Sequence, residues 1–346
     1  MTKIEVDLHS DTQTKPSAEM REAMATAPVG DEQRGEDPSV NRLCEMACAL
    51  TGKEAAVFMP SGTMCNQVSI LVHCRPGDEI IADKTSHIIN SESGGAAALA
   101  GAQICPVAGE RGVYSAEQAE AAVSVAKRNV PRTRMIAVEQ TSNAGGGSVW
   151  PLETIREVAE VAKRRGLIMH MDGARLLNAV VASNVSTADF AEPFDSLWID
   201  LSKGLGCPVG AVLCGSAEFI EQAWGWKQRL GGAMRQAGIV AAAGVYALDY
   251  NVDRLAEDHA SARLLADGIA AIPGIDPWPV ETNLVFFNVE KTGLTAADFH
   301  ERLQDRGVRI GIKDKYEMRA VTHLDVSPEQ VVRAAEAVAD VAAGNV

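Results

Sequence analysis

No run of Lys and Arg exceeds the three residues Lys163-Arg164-Arg165, and the chain's 46 acidic residues outnumber the 32 basic ones to leave a formal net charge of −14. A general nucleic-acid binder needs clustered cations to meet the phosphate backbone, so no nucleic-acid partner is expected. Also missing is any stretch of about 18 uninterrupted apolar residues, the length a membrane span requires. The opening residues show no apolar core followed by a small-residue cleavage site. A cytoplasmic protein without a membrane partner is therefore expected. The seven cysteines (44, 48, 65, 74, 105, 207 and 214) never form a CxxC pair. That scatter indicates neither a disulfide framework nor a zinc site, and no metal is assigned. They read as buried free thiols. No internal repeat or low-complexity tract stands out.

What is present is 346 residues with 47% hydrophobic content and 30 glycines, enough for one large α/β domain and a smaller one. Segment 7–16 is polar and without helical period, an arm ahead of the fold, and Ser17 then caps a helix. Short apolar runs at 55–59, 78–82, 103–107, 134–139, 167–171, 196–200 and 209–214 read as strands. Helical patterns at 39–50, 63–73, 92–100, 115–126 and 152–165 alternate with them. Such alternation predicts a mostly parallel sheet with helices on both faces and ligands gathered at the carboxyl ends of its strands. Around Trp224, Trp226 and Lys227 the pattern changes to a loop at 230–236, then an alanine-rich helix at 239–248. A long helix, 252–272, stops at the breaker pair Pro273-Gly274. Strands at 283–287, 308–312 and 318–321 with helices at 296–304 and 328–341 make a small α+β unit. The expected division is a large domain over 1–250, arm included, and a small C-terminal domain over 251–346.

Lys203 follows the apolar run Ser196-Leu197-Trp198-Ile199-Asp200 and lies within Ser202-Lys203-Gly204-Leu205-Gly206. A lone lysine at the mouth of a buried strand, among small residues, suits a Schiff-base lysine holding pyridoxal phosphate. That cofactor also needs a carboxylate on its pyridine nitrogen, an aromatic or imidazole over its ring, phosphate donors, and an arginine for the substrate carboxylate. Asp172, after an apolar strand, can pair with the pyridinium, and His87 can stack on the ring. The strand–turn–helix at Pro60-Ser61-Gly62-Thr63 offers free N–H groups to a phosphate, together with Ser202 and Arg235. Arg175 or Arg319 can form a bidentate bridge to an amino-acid carboxylate. Singly, each has a plain alternative: a turn aspartate, a loop histidine, paired or solvated surface cations, an ordinary βα turn. Their order along the chain favours the site.

The blocks Ser10-Asp11-Thr12, Gly35-Glu36-Asp37-Pro38-Ser39-Val40-Asn41, Phe58-Met59-Pro60-Ser61-Gly62-Thr63-Met64, His170-Met171-Asp172-Gly173-Ala174-Arg175, Ser202-Lys203-Gly204-Leu205-Gly206 and Arg319-Ala320-Val321-Thr322-His323-Leu324-Asp325 resemble the L-threonine aldolases. These lie in the β-eliminating lyase group of fold type I pyridoxal-phosphate enzymes. The likeness runs from about residue 7 to 330. It implies an aspartate aminotransferase-like large domain with a mostly parallel seven-stranded sheet, a small α+β domain, and a homotetramer built as a dimer of dimers. It further implies Lys203, Asp172 and His87 in the catalytic roles above, Arg235 near the phosphate, and Ser10, Arg175 and Arg319 on the substrate carboxylate. The implied reaction is retro-aldol cleavage of a β-hydroxy-α-amino acid, L-threonine or L-allo-threonine, to glycine and an aldehyde such as acetaldehyde.

Two departures bear on the substrate. Arg34 stands where many members carry a tyrosine, and Ser142, in Glu139-Gln140-Thr141-Ser142-Asn143, stands where they carry a histidine. Both positions lie near the substrate hydroxyl in that family. A serine cannot act as a base near neutral pH without a partner, so His87 becomes the candidate base. A phenylserine-type aldolase or a β-eliminating lyase is the alternative within the family. A cofactor-free binding paralogue is the alternative outside it, against which the presence of both Lys203 and Asp172 speaks.

Overall fold

Caps set most of the element boundaries in the computed structural model, which describes residues 3–125 and 127–344. Ser17 accepts the Met20 amide at the head of helix Ala18–Ala25. Asp37 accepts the amides of Ser39 and Val40 ahead of Pro38–Thr51, which opens on a proline and closes on left-handed Gly52. These are the residue types that satisfy unpaired helix-end groups. Ser61 does the same for helix Gly62–His73.

Among the described residues twelve strands build two sheets. In chain order they are β1 (Val6–Leu8), β2 (Ala55–Met59), β3 (Asp78–Asp83), β4 (Gln103–Val107), β5 (Arg132–Glu139), β6 (Ile168–Asp172), β7 (Ser196–Asp200), β8 (Ala211–Gly215), β9 (Asp276–Pro277), β10 (Leu284–Asn288), β11 (Val308–Ile312) and β12 (Glu317–Val321). The large sheet has seven strands in the order β2-β8-β7-β6-β5-β3-β4, and β8 runs antiparallel to both its neighbours. Strands β3, β7 and β8 are buried along their whole length, as strands covered by helices on both faces must be.

The second sheet, ordered β1-β11-β12-β10-β9, carries the small domain. Here the structure corrects the expected N-terminal arm. Val6–Leu8 is a strand, parallel to β11, and Val6 and Leu8 lie in one buried cluster with Leu265, Ile269, Phe287 and Phe299. The opening of the chain thus belongs to the small domain's core, and its alternation was too short to register as a strand. Beyond β1 the chain crosses the large domain, where the Thr14 hydroxyl donates to the Lys203 carbonyl at 2.9 Å.

Trp224, Trp226 and Lys227 lie in a helix that the sequence pattern did not disclose, Ala217–Arg229, capped by Ser216, and the expected loop follows it at 230–236. The helix's apolar period was hidden by Lys227, which is fully buried and paired with Glu32 at 3.0 Å. Helices Leu176–Ser183 and Thr187–Ala191 were also not anticipated. The helix expected over 115–126 spans Ala116–Ala122, and Ala126 lies outside the described residues.

Candidate active site

Four parallel strands end in a carboxylate: Asp83 on β3, Glu139 on β5, Asp172 on β6 and Asp200 on β7. Each accepts one amide N–H from the turn it opens, and Asp83 and Glu139 a second from a neighbouring loop, which is why an acid suits the strand end whatever else it does. Asp83 takes the amides of Thr85 and Gly109, both at 2.8 Å. Glu139 takes those of His87 at 2.7 Å and Asn143 at 2.8 Å. Burial, and then the neighbouring Asp172, push the Glu139 carboxyl up to about 7.

Asp172 is buried, and the Ala174 amide donates to its Oδ1 at 3.0 Å. Its Oδ2 receives a 2.7 Å hydrogen bond from Asn66 Nδ2. Burial raises its pKa; the Asn66 bond and the Lys203 charge oppose that rise, and Glu92 adds to it. Asn66 Nδ2 also donates to Glu92 Oε1 at 2.7 Å, and His87 Nδ1 meets that same oxygen at 2.8 Å. The Glu92 bond raises the His87 pKa above its ordinary value, with Asp172 and Glu139 contributing and burial opposing. His87, Glu92 and Asp172 therefore crowd together, their ligating atoms all within 4.8 Å of one another. Neither Asn66 nor Glu92 stood out in the sequence; their partners lie 26 and 106 positions away along the chain.

Lys203 sits beside this group. Its Nζ lies 2.7 Å from Asp200 Oδ2 and 5.8 Å from the centre of the Trp198 ring. Asp200 Oδ1 accepts from both the amide and the hydroxyl of Ser202, at 2.7 and 2.9 Å, which ties down the turn that presents the lysine. Trp198 also explains Gly62: a Cβ there would run into the indole. Only glycine lets the first turn of helix Gly62–His73 approach that ring. Among the described residues the amides of Gly62 and Thr63 have no acceptor, and Ser61 and Thr63 are exposed.

The arginines divide. Arg175 is buried and bound bidentately by Asp11, both bonds at 2.7 Å, and Asn283 Nδ2 completes that carboxylate at 3.1 Å. Burial works against an ionised Asp11, yet the Arg175 guanidinium holds its carboxyl well below the usual range. Arg319 donates to Asn143 Oδ1 at 2.8 Å, and its buried Nε has no partner. Burial, then Arg175, lower its pKa to about 10. Asp11 is thus bonded to Arg175 and only near Arg319, which among the described residues has no ion-pair partner of its own. Asp11, absent from the expected site, comes from the chain's opening and joins both domains there.

Other expected residues lie elsewhere within this chain. Ser10 caps the short turn Asp11–Gln13. The Ser142 hydroxyl accepts the Gly145 amide at 3.2 Å and packs against Gly112. Arg34 is exposed in the turn Glu32–Arg34. Arg235 pairs with Asp31 at 2.8 Å with 62% of its side chain exposed. The structure thus brings Lys203, Asp172 and His87 together, with Arg175 beside Arg319, and leaves Arg34 and Arg235 on the surface.

The chain is similar to the low specificity L-threonine aldolase of Escherichia coli (strain K12), 42% identical over 331 residues that cover 95% of this chain and 97% of that one. A threonine aldolase from Leishmania major has the same fold, with a TM-score of 0.84 at 20% identity, covering 97% of this chain and 99% of the other. So does the aspartate aminotransferase from Rhizobium meliloti, TM-score 0.72 at 18% identity over 99% and 92% of the two chains. The architecture is that of the fold type I enzymes. The family model of the beta-eliminating lyases matches residues 7–292, a span that holds every strand-end acid and Lys203, and the chain belongs to that family.

Proposed function

We propose that the chain is an aldehyde-lyase that cleaves L-threonine and L-allo-threonine to glycine and acetaldehyde, with pyridoxal 5′-phosphate as its cofactor. The observation that carries this reading is the meeting of Lys203, Asp172 and His87 on one sheet edge, with Arg319 beside Arg175 and its buried Nε without a partner. Curated relatives that bear the name of this activity support it. The residues present fit the cofactor. A buried carboxylate with a raised pKa suits a protonated ring nitrogen, because a cation there compensates its burial. The Gly62 and Thr63 amides suit a phosphate.

Lys203 would hold the group, Asp172 its ring nitrogen, and Ser61, Gly62, Thr63 and Ser202 its phosphate. When bound, it supplies a sink for the electron pair released at the substrate Cα. The protein's own part is positioning and proton transfer. Arg319, with its unpaired Nε, takes the substrate carboxylate, and Arg175 keeps Asn143 and Asp11 in place around it. His87 receives the β-hydroxyl proton as the aldehyde forms. Ser142 has its oxygen engaged by Gly145 and leaves that role to His87.

Purified protein given threonine should release acetaldehyde and glycine in equal amounts. Lys203→Ala should abolish both that release and the cofactor's visible absorbance; retention of both would overturn the reading. A panel adding phenylserine and β-chloroalanine decides between threonine cleavage, a larger aldehyde and β-elimination.

We further place the chain in the cytoplasm, as a homotetramer. All seven cysteines are unpaired. No helix among the described residues is long and apolar enough to cross a membrane. Ile239 and Val29, 50% and 44% exposed, flank the segment that carries Arg235 and Arg34, apolar surface of the sort a second copy covers. Light scattering on the purified protein tests the assembly.

A further inference from the structure

We propose that Glu92 is a positioning residue that makes His87 the base: it holds the Nδ1 proton and leaves Nε2 free to accept the substrate's β-hydroxyl proton. The inference rests on the function proposed above and adds a residue to it.

Hydrogen-bond counting leads there. Trp198 Nε1 can only donate, and it meets Asn66 at 2.8 Å. The atom it meets must be the amide oxygen, which orients the whole Asn66 side chain and turns its NH2 toward the two carboxylates. That NH2 spends one hydrogen on Asp172 and one on Glu92. Its oxygen, already taken by Trp198, meets His170 Nε2 at 3.1 Å as well. All four bonding positions of Asn66 are filled, so it can neither rotate nor exchange partners without losing a buried bond. Glu92, with no exposed side-chain surface, receives Asn66 and Gln67 as amide donors, and a carboxylate has only acceptors to offer. His87 Nδ1, 2.8 Å away on Glu92 Oε1, must then carry the hydrogen.

Neutral imidazole has one N–H, so Nε2 is left as the lone-pair nitrogen. Among the described residues Nε2 has no protein partner, and 38% of the His87 side chain is exposed. The charged groups facing His87 are all acids: Glu92 from the segment after its own short helix, Asp172 from β6 and Glu139 from β5. Each favours a proton on the ring. This supplies a basic nitrogen in a chain whose position 142 has a serine.

The test is Glu92→Gln in the cofactor-loaded enzyme, joined to ¹⁵N-histidine NMR of the wild-type protein. In wild type, neutral His87 should show its proton on Nδ1. In the variant, kcat on threonine should fall about 100-fold, the scale of a disabled general base, with KM within about threefold. The acid limb of kcat/KM should move to lower pH, because the charge that raised the His87 pKa is gone. A wild-type His87 carrying its neutral proton on Nε2, or a Glu92→Gln enzyme with an unmoved pH profile, would overturn the proposal. Should Glu92→Gln fail to fold, the wild-type NMR decides alone. A wild-type protein inactive on threonine would sink the proposed function, while the tautomer measurement would still decide the role of Glu92.

Discussion

Asn66 stands between two histidines with opposite electrostatics. On its amide side, Glu92 links it to His87, whose pKa lies above the ordinary value. On its oxygen side is His170, two residues before Asp172 on β6, which burial lowers to about 3. His170 Nδ1 meets the Ser196 hydroxyl at 2.8 Å, and that hydroxyl meets His73 Nε2 at 2.9 Å. Burial, with Arg134 nearby, lowers His73 to about 4. The single proton on each neutral ring runs one way down this line: His73 donates to Ser196, Ser196 to His170, and His170 to Asn66. The partner's charge separates the two cases. A carboxylate beside His87 invites a second proton; a hydroxyl and an amide beside His170 do not. The interior histidines are scaffold that fixes Asn66, and the edge histidine is placed to exchange protons.

The sharpest way to break this contrast is to change the acid on the amide side. Asp172→Asn keeps the shape of β6 but removes the charge proposed to hold the cofactor's ring nitrogen. We expect kcat on threonine to fall about 1,000-fold, the range found when a preorganised electrostatic partner is lost. Steady-state kinetics would show it. His87→Asn should come next, with a fall of about 100-fold as the base is lost. Its amide keeps a donor for Glu92, so urea denaturation should find stability nearly unchanged. His170→Ala should reverse the pattern. Asn66 and Ser196 would each lose a buried partner, costing about 2 kcal/mol of stability, while kcat stays within about tenfold. A His170→Ala enzyme that is as stable as wild type but slow would erase the distinction between scaffold and site.

The same contrast has a pH signature of known sign. His170 and His73 bind protons more weakly folded than unfolded. From pH 6.5 down toward about 4 and 3 the unfolded chain therefore holds more protons, and acid destabilises the fold through both residues. His87 binds its proton more tightly folded, so its contribution is complete below the unfolded value and is lost as pH rises through the folded one. Urea midpoints followed from pH 4 to 8 should show an acid limb that His170→Gln makes shallower.

Much of this arrangement was legible in the sequence, for a physical reason that also marks the limit. Strands β2, β7 and β11 begin and end where their apolar runs meet breakers or charges. Local signals report local structure. Lys203 and Asp172 could be found because each follows such a strand. Asn66, Glu92 and Asp11 could not, because their meaning lies in contacts made across 106, 26 and 164 positions. Asp11 was inside a block that had drawn notice, yet only the fold reveals that it takes up the very arginine expected to bind substrate. Lys227 misled in the other direction: a buried cation inside a helix breaks the apolar period that would have revealed the helix.

The smallest expected effect separates the surface arginine from the buried ones. Arg235 spans 2.8 Å to Asp31 with most of its side chain in water. An exposed pair of this kind contributes about 0.5 kcal/mol, since water screens the charges and two long side chains must be ordered to make it. Arg235→Ala should therefore leave the thermal midpoint almost where it was. Arg175→Ala, by contrast, would strand Asp11 without its partner in the interior, a loss of about 3 kcal/mol or more. If Arg235 also meets the cofactor phosphate in the assembled protein, its variant will lose cofactor faster on dialysis at unchanged stability. Unchanged retention would assign it to the surface alone, and would leave Ser61, Gly62, Thr63 and Ser202 as the phosphate's partners.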